Sequence, residues 1–399
     1  MPAQTFRDPW ALRQQIRSVL QFHYPECIDH HYGGYCLNRD EQEGYIYERR
    51  EKHLVGTCRM VYNFCVGARL DGPEWCRSAA AHGLSSLFNT FWDGDRGGFD
   101  WILRGRETIE DTRRCYGHAF ALLACAAATE IGLPGADDRL EQVTALLDER
   151  FFEPEYGLHR AEADGDWNFT EYRGQNANMH ACEAYLAAFD ATGEGEYLDR
   201  AYTVADSLVR DPLTDGGLIP EHYTTEWEPD LEYNQDEPNH QFRPPGFQPG
   251  HHAEWAKLLE LLADRREESW LTERARKLFD AAFAIGWDEE HGGFYYTVDA
   301  EGKPIVAEKY GWAIAEGIGA AALLAREDES SLERYDHLWD YAREHLINEK
   351  YGTWYEKCTC EGEPLTPANN GPRVEPGYHP VANAALAMAV FEDDRPRLV

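Results

Sequence analysis

Residues 176–209 read NANMHACEAYLAAFDATGEGEYLDRAYTVADSLV. The first half, 176–193, is rich in Ala and Leu and free of proline. The second, 195–209, resumes the same kind of text after Thr192-Gly193-Glu194-Gly195. Ala and unbranched side chains lose little freedom in a helix, and Gly favours its end, so the stretch predicts two consecutive helices. Tyr156-Gly157-Leu158 precedes the pair and Gly216-Gly217-Leu218 follows it. Related units stand at Tyr32-Gly33-Gly34-Tyr35, Gly97-Gly98-Phe99, Gly292-Gly293-Phe294 and Tyr351-Gly352-Thr353-Trp354. From the last glycine of one unit to that of the next, the spacing is 64, 59, 60, 76 and 59 residues. Asp95, Glu155, Asp215, Glu290 and Glu349 lie just upstream of five of the units. Gly reaches backbone conformations closed to other residues, so the units read as turns that open short extended segments.

Further helical text covers 112–131, 251–263 and 309–326. Two helices per interval over six intervals give about twelve helices. No change of composition or Ser-rich linker divides the chain, so residues 1–399 read as one domain. A closed ring of six helical hairpins, an all-α (α/α)6 barrel with short β-segments in its connections, buries every apolar helix face. A curved open solenoid is the other arrangement open to such repeats. The longest interval contains an irregular stretch, 226–250, rich in Pro, Asn, Gln and Gly, which reads as a wall or cap over a site.

The 399 residues hold 38 Lys and Arg against 72 Asp and Glu, a formal charge of −34. Nucleic-acid binding needs a cationic surface, as does attachment to an anionic membrane, so both are excluded as partners. Aromatic residues make up 13% of the chain, which rules out disorder. Only seven of the basic residues are Lys, and an acid-rich, Lys-poor protein suits a salty, halophilic cytoplasm. The ten Cys include no CxxC pair, so neither a zinc site nor a disulfide framework is expected. Neither a signal peptide nor a run of 18 apolar residues is present.

A polar cluster recurs inside the helical text: Arg59; Tyr116 and His118; Asn176 and His180; His251 and Glu254; Trp312 and Glu316; Tyr378 and His379. These begin 25, 18, 19, 34, 19 and 26 residues after the preceding turn glycine, so a ring would bring them to one central cavity. His180 and Glu183, and likewise His251 and Glu254, stand three apart and share a helix face. A carboxylate beside imidazole sets its tautomer and raises its basicity. His252 points away from His251 and is expected to face outward. Two His and two Glu could also hold a metal pair, but the di-iron bundle motif runs Glu-x-x-His, the reverse order, so no metal is expected. Three histidines, a guanidinium and aromatic walls suit proton transfer beside a sugar carbonyl. Glycoside hydrolysis needs two carboxylic acids flanking the bond, and here the acids stand beside His or Trp. No phosphate-binding loop or nucleotide fingerprint occurs, so no cofactor is expected.

The strings KHLVGTCRMVYNF, YGHAFALLA, NANMHACEA, PGHHAEWAKLL, WAIAEG and YHP, taken in order, resemble the N-acylglucosamine 2-epimerase superfamily, within it the D-mannose isomerase and sulfoquinovose isomerase branch. The resemblance runs through almost the whole chain. It implies an (α/α)6 barrel and, without a metal, aldose–ketose isomerisation or C2 epimerisation, the latter of an N-acylglucosamine or a disaccharide; the negative charge favours a neutral monosaccharide substrate. In this reading His251 and His379 form the acid/base pair and His180 binds the oxygen on the C2 side. Glu254 and Glu316 would be relay carboxylates, and Arg59 would bind the oxygens near C1 and C2. Tyr116 and Asn176 would hold ring hydroxyls, and Met179, Trp312 and His118 complete the sugar-binding set. The sulfoquinovose branch has Trp where Val55 stands, and no basic cluster for a sulfonate is present, so mannose–fructose interconversion is favoured over sulfoquinovose isomerisation, with sugar C2 epimerisation the other reading. The segment before Tyr378 reads Arg373-Val-Glu-Pro-Gly, without the family's lysines. A monomer or homodimer is expected.

Overall fold

The computed structural model describes residues 6–211, 214, 217–366 and 373–399. Asp215 and Gly216 of the fourth turn unit lie outside the described residues. Twelve α-helices alternate between two layers among the described residues. The inner layer is α2 (Leu54–Arg69), α4 (Cys115–Glu130), α6 (Gln175–Thr192), α8 (Pro249–Ala263), α10 (Gly311–Leu324) and α12 (Tyr378–Phe391). The outer layer is α1 (Pro9–His23), α3 (Trp75–Ser86), α5 (Ala136–Leu146), α7 (Gly195–Val209), α9 (Ser269–Gly286) and α11 (Glu329–Tyr341).

Inner helices are buried on all sides: in α4 a continuous run from Gly117 to Ala128 is withdrawn from solvent. Outer helices bury one stripe, as in α11, where Ser331, Tyr335, Leu338, Trp339 and Tyr341 face inward. Helices apolar all round belong inside and amphipathic ones outside, so composition assigns each helix to its layer. Each inner helix packs on its two neighbours in the ring, and α12 returns to α2, which closes an (α/α)6 barrel and excludes the open solenoid. Five hairpins are sequential, from α2 with α3 to α10 with α11. The sixth is made by the two ends of the chain, α1 against α12.

The described glycine that closes each turn unit has positive φ, from +65° at Gly34 to +85° at Gly98, the region that favours glycine. The turn is closed by the residue five positions before the second glycine, as where Asp93 accepts from Gly97 N–H (2.9 Å) and donates its own N–H to Gly98 (2.9 Å). Asp29 and Asp288 occupy the same place. Each of these carboxylates also meets a buried cation two residues before an inner helix: Lys52 with Asp29 (2.7 Å), Arg113 with Asp93 (2.6 Å) and Lys309 with Asp288 (2.8 Å). Those cations lie on two- or three-residue strands, such as Arg113–Arg114 and Lys309–Tyr310, so α4 and α10 begin three and two residues later than the sequence pattern suggested. Every inner helix start in these repeats is thereby pinned to the preceding turn.

Candidate active site

The starts of the inner helices converge on one cavity. Of the residues expected at a site, Arg59, Tyr116, Asn176, His180, His251, Glu254, Trp312 and His379 line it. The irregular stretch 226–250 contributes Gln241, Phe242 and Gln248 to the wall. Phe242 packs against Trp101 and Tyr116, with ring centroids 5.6 and 5.9 Å away.

His379 Nδ1 stands 2.6 Å from Glu316, and Asn383, one helical turn on, donates to the same oxygen at 2.8 Å. Close approach of α10 and α12 makes this possible, because a Cβ at Gly319 would fall 1.9 Å from Asn383 Oδ1. A carboxylate only accepts, so His379 carries its proton on Nδ1 and leaves Nε2 bare. Arg59 Nη2 donates to that Nε2 at 3.2 Å and to the Tyr116 hydroxyl at 3.1 Å. Burial, then the charge of Arg59, pushes His379 well below the usual histidine range, so it rests as a neutral base. Glu375 lies 3.1 Å from Arg59 Nη1 and 3.5 Å from His379 Nε2, and burial lifts its carboxyl to about 7.

His251 is paired differently from the sequence expectation. Its Nδ1 lies 2.9 Å from both oxygens of Glu221, not on Glu254. Glu221 precedes the short strand His222–Tyr223, which pairs with Arg173–Gly174 ahead of α6. Gln175 Nε2 donates to Glu221 at 3.0 Å and also lies 2.7 Å from His251 Nδ1, and the Trp255 indole N–H fixes the Gln175 amide at 2.8 Å. Glu254, three residues after His251, turns towards His180, 3.7 Å from its Nδ1. Burial and the neighbouring Glu316 push the Glu254 carboxyl well up, which makes it a neutral acid in the wall. His180 pairs with Glu183 at 3.0 Å as expected, and burial lowers it to about 4. Trp312 spans the two dyads, with its ring 5.0 Å from His251 and 5.8 Å from His379.

Met179 and His118 do not reach the cavity. Met179 is fully buried in the apolar core, because its position on α6 faces away from the ring's centre. His118 accepts the Phe99 N–H at 3.1 Å and donates to Arg114 O at 2.7 Å, so both ring nitrogens serve the backbone. His252 is not exposed either. It occupies the same fourth position of its helix and bridges Ile219 N–H (3.1 Å) and Gln248 O (2.8 Å). These histidines anchor extended segments to inner helices.

Residues that the sequence reading passed over include Glu221, Gln175, Glu375 and Lys257. Lys257 lies fully buried on α8, 3.2 Å from Glu183, 2.6 Å from Glu316 and 3.9 Å from Glu254. Two triads, His180 with Glu183 and Glu254, and Glu254 with Glu316 and His379, have ligand-type atoms within 4.8 Å of one another. Lys257 places a cation among these carboxyl groups and offsets part of their negative charge. A lysine amid apolar helix text was the available signal, since a fully buried ammonium needs carboxylate partners.

The family model of N-acylglucosamine 2-epimerase (GlcNAc 2-epimerase) matches residues 33–382. The chain belongs to the N-acylglucosamine 2-epimerase family. Among family relatives, the D-mannose isomerase of Marinomonas mediterranea is 37% identical over 373 residues, covering 92% of this chain and 94% of its own. A crystal structure of a D-mannose isomerase superposes with a TM-score of 0.92 at 35% identity, covering 98% of this chain and 99% of that one. The cellobiose 2-epimerase of Bacillus thermoamylovorans shares the fold, with a TM-score of 0.81 at 17% identity over 96% of this chain and 99% of its own.

Proposed function

We propose that the chain is an aldose–ketose isomerase that interconverts D-mannose and D-fructose through a cis-enediol, without a metal or cofactor. The observation that carries this reading is the pair of imidazoles, His251 and His379, either side of Trp312. Each has Nδ1 on a carboxylate, so each offers Nε2 as a base. The likeness to proteins named D-mannose isomerase over nearly the whole chain supports the choice of sugar.

Arg59 reaches His379 Nε2, so base and cation act on the same two carbons of the substrate. His379 takes the C2 proton, and the electron pair of that bond forms C1=C2 while O1 gains a proton. Return of a proton to C1, with loss of the O2 proton, gives the ketose. Arg59 and Tyr116 stabilise the oxygen on which charge develops. His251, backed by Glu221, moves the hydroxyl proton that opens the ring, and His180 holds the oxygen at C2. Asn176 Oδ1 meets no donor among the described residues and is free for a ring hydroxyl. Trp312 covers an apolar face of the sugar. We read 1–399 as one catalytic domain of a monomeric or homodimeric, cytoplasmic and salt-adapted protein. Among the described residues no helix is long and apolar enough to cross a membrane.

Incubation with mannose in heavy water tests the reaction. Deuterium at C1 of newly formed fructose is the expected result. Deuterated glucose as the first product would replace isomerisation by C2 epimerisation, and the absence of exchange would remove both.

A further inference from the structure

Lys257 takes no part in the steps above, yet it joins two of the histidines. Its ammonium lies 3.2 Å from Glu183, which holds His180 Nδ1 at 3.0 Å. On its other side it lies 2.6 Å from Glu316, which holds His379 Nδ1 at 2.6 Å. A continuous line of hydrogen bonds and ion pairs, His180–Glu183–Lys257–Glu316–His379, thus crosses α6, α8, α10 and α12, and both of its ends line the cavity. Balancing charge alone does not call for this placement. A buried ammonium is costly to desolvate, and a core with one carboxylate fewer and an apolar side chain in its place would be at least as stable.

We propose that Lys257 is a positioning residue for both imidazoles: it holds Glu183 and Glu316 as acceptors, and so keeps each ring proton on Nδ1 and each Nε2 bare towards the substrate. The catalytic half of this inference rests on His379 acting as the base. The ionic half does not.

The groups around His379 fix the sign of the expected effect. Glu316 faces it from α10, Arg59 from α2, His180 and Glu183 from α6, and Lys257 and Glu254 from α8, with Glu375 on its own segment. Lys257 and Arg59 resist protonation of the ring, and the carboxylates favour it. Without the ammonium, Glu316 presents an uncompensated negative charge to His379, which raises the basicity of the ring. Should Glu316 take up the proton instead, it would donate to Nδ1 and force the proton onto Nε2. The pair would then become a competent base only at higher pH. Both routes move the titration upward.

The test is an NMR titration of histidine-labelled, sugar-free protein, with the His379 signal assigned by its loss in His379→Asn. In Lys257→Met the His379 titration is expected to rise by about one pH unit or more, the size of a neighbouring-charge effect. The acid limb of kcat/KM for mannose should rise with it. A folded Lys257→Met protein whose His379 titration is unmoved overturns the inference. If that variant does not fold, Lys257→Met/Glu183→Gln, with one buried charge fewer to compensate, carries the same expectation with a smaller shift. A shifted NMR titration with an unmoved rate limb would uphold the ionic line and overturn the reading of His379 as the base.

Discussion

Glu221 accepts from His251 Nδ1 at 2.9 Å, although the two are thirty residues apart and Glu221 lies in the connection ahead of His222–Tyr223. The contact sets the tautomer of His251, a role that sequence spacing had assigned to Glu254. Glu221→Gln keeps the shape and removes the charge, so kcat is expected to fall about 100-fold with KM little changed, the usual weight of a general acid or base. Steady-state kinetics check this. Near-normal turnover in Glu221→Gln, alongside a collapse in Glu254→Gln, would restore the original pairing.

His118 and His252 bind backbone groups, and their replacement should cost stability before activity. His118→Ala leaves the Phe99 N–H and the Arg114 carbonyl without their partner, at about 2 kcal/mol. A denaturant midpoint lowered with unchanged kcat is the expected pattern. A selective loss of kcat at full stability would return His118 to the sugar-binding set.

Buried histidines make stability depend on pH. Burial lowers His118, His180 and His252 to about 4, and His23 and His159 to about 3. The unfolded chain protonates all five near 6.5, so below that pH it binds more protons than the fold does. Their contribution is present in full above about pH 6.5 and is lost as pH falls to about 4 for His118, His180 and His252 and to about 3 for His23 and His159, at on the order of 1.4 kcal/mol per pH unit for each histidine. Calorimetry at pH 5.5 should show several protons taken up on unfolding, and a flat stability profile from pH 7 to 5 would refute this account.

We propose that the site works without a metal, with the Lys257 ammonium among its buried carboxylates. Exhaustive chelation is therefore expected to leave mannose turnover unchanged. Lost turnover that divalent metal restores would show that an ion competes with the ammonium.

The charge of −34 repels itself at low ionic strength. The melting temperature should climb as potassium chloride is raised from millimolar to molar levels. Insensitivity to salt would separate the acidic composition from any saline habitat.

The architecture was legible because its cause repeats. Glycine units about sixty residues apart, and helices apolar all round, leave few arrangements other than a ring. The site was legible where a residue lay on an inner helix at a comparable place, as Arg59, His180 and His379 do. It was hidden where a partner came from a connection, as Glu221 does, since no periodicity marks a strand of two residues. Met179 misled because it neighbours His180 in sequence, while one step along a helix turns a side chain about 100° away. The pairing of Lys257 was invisible for another reason: its carboxylates, Glu183 and Glu316, belong to separate repeats.

Packing of α1 on α12 has a consequence for the birth of the molecule. The two helices that complete the ring lie at opposite ends of the chain, so the last contact to form spans nearly the full sequence. A ribosome releases the first five inner helices well before α12 emerges, and His379 travels on that final helix. The nascent chain therefore carries an open edge between α10 and α2 until α12 has emerged. Growth from one end cannot close such a circle early, and contacts of this range fold slowly. Joining the present ends and opening the chain at the α6–α7 turn would place the seam elsewhere, and with it the moment at which the ring becomes whole.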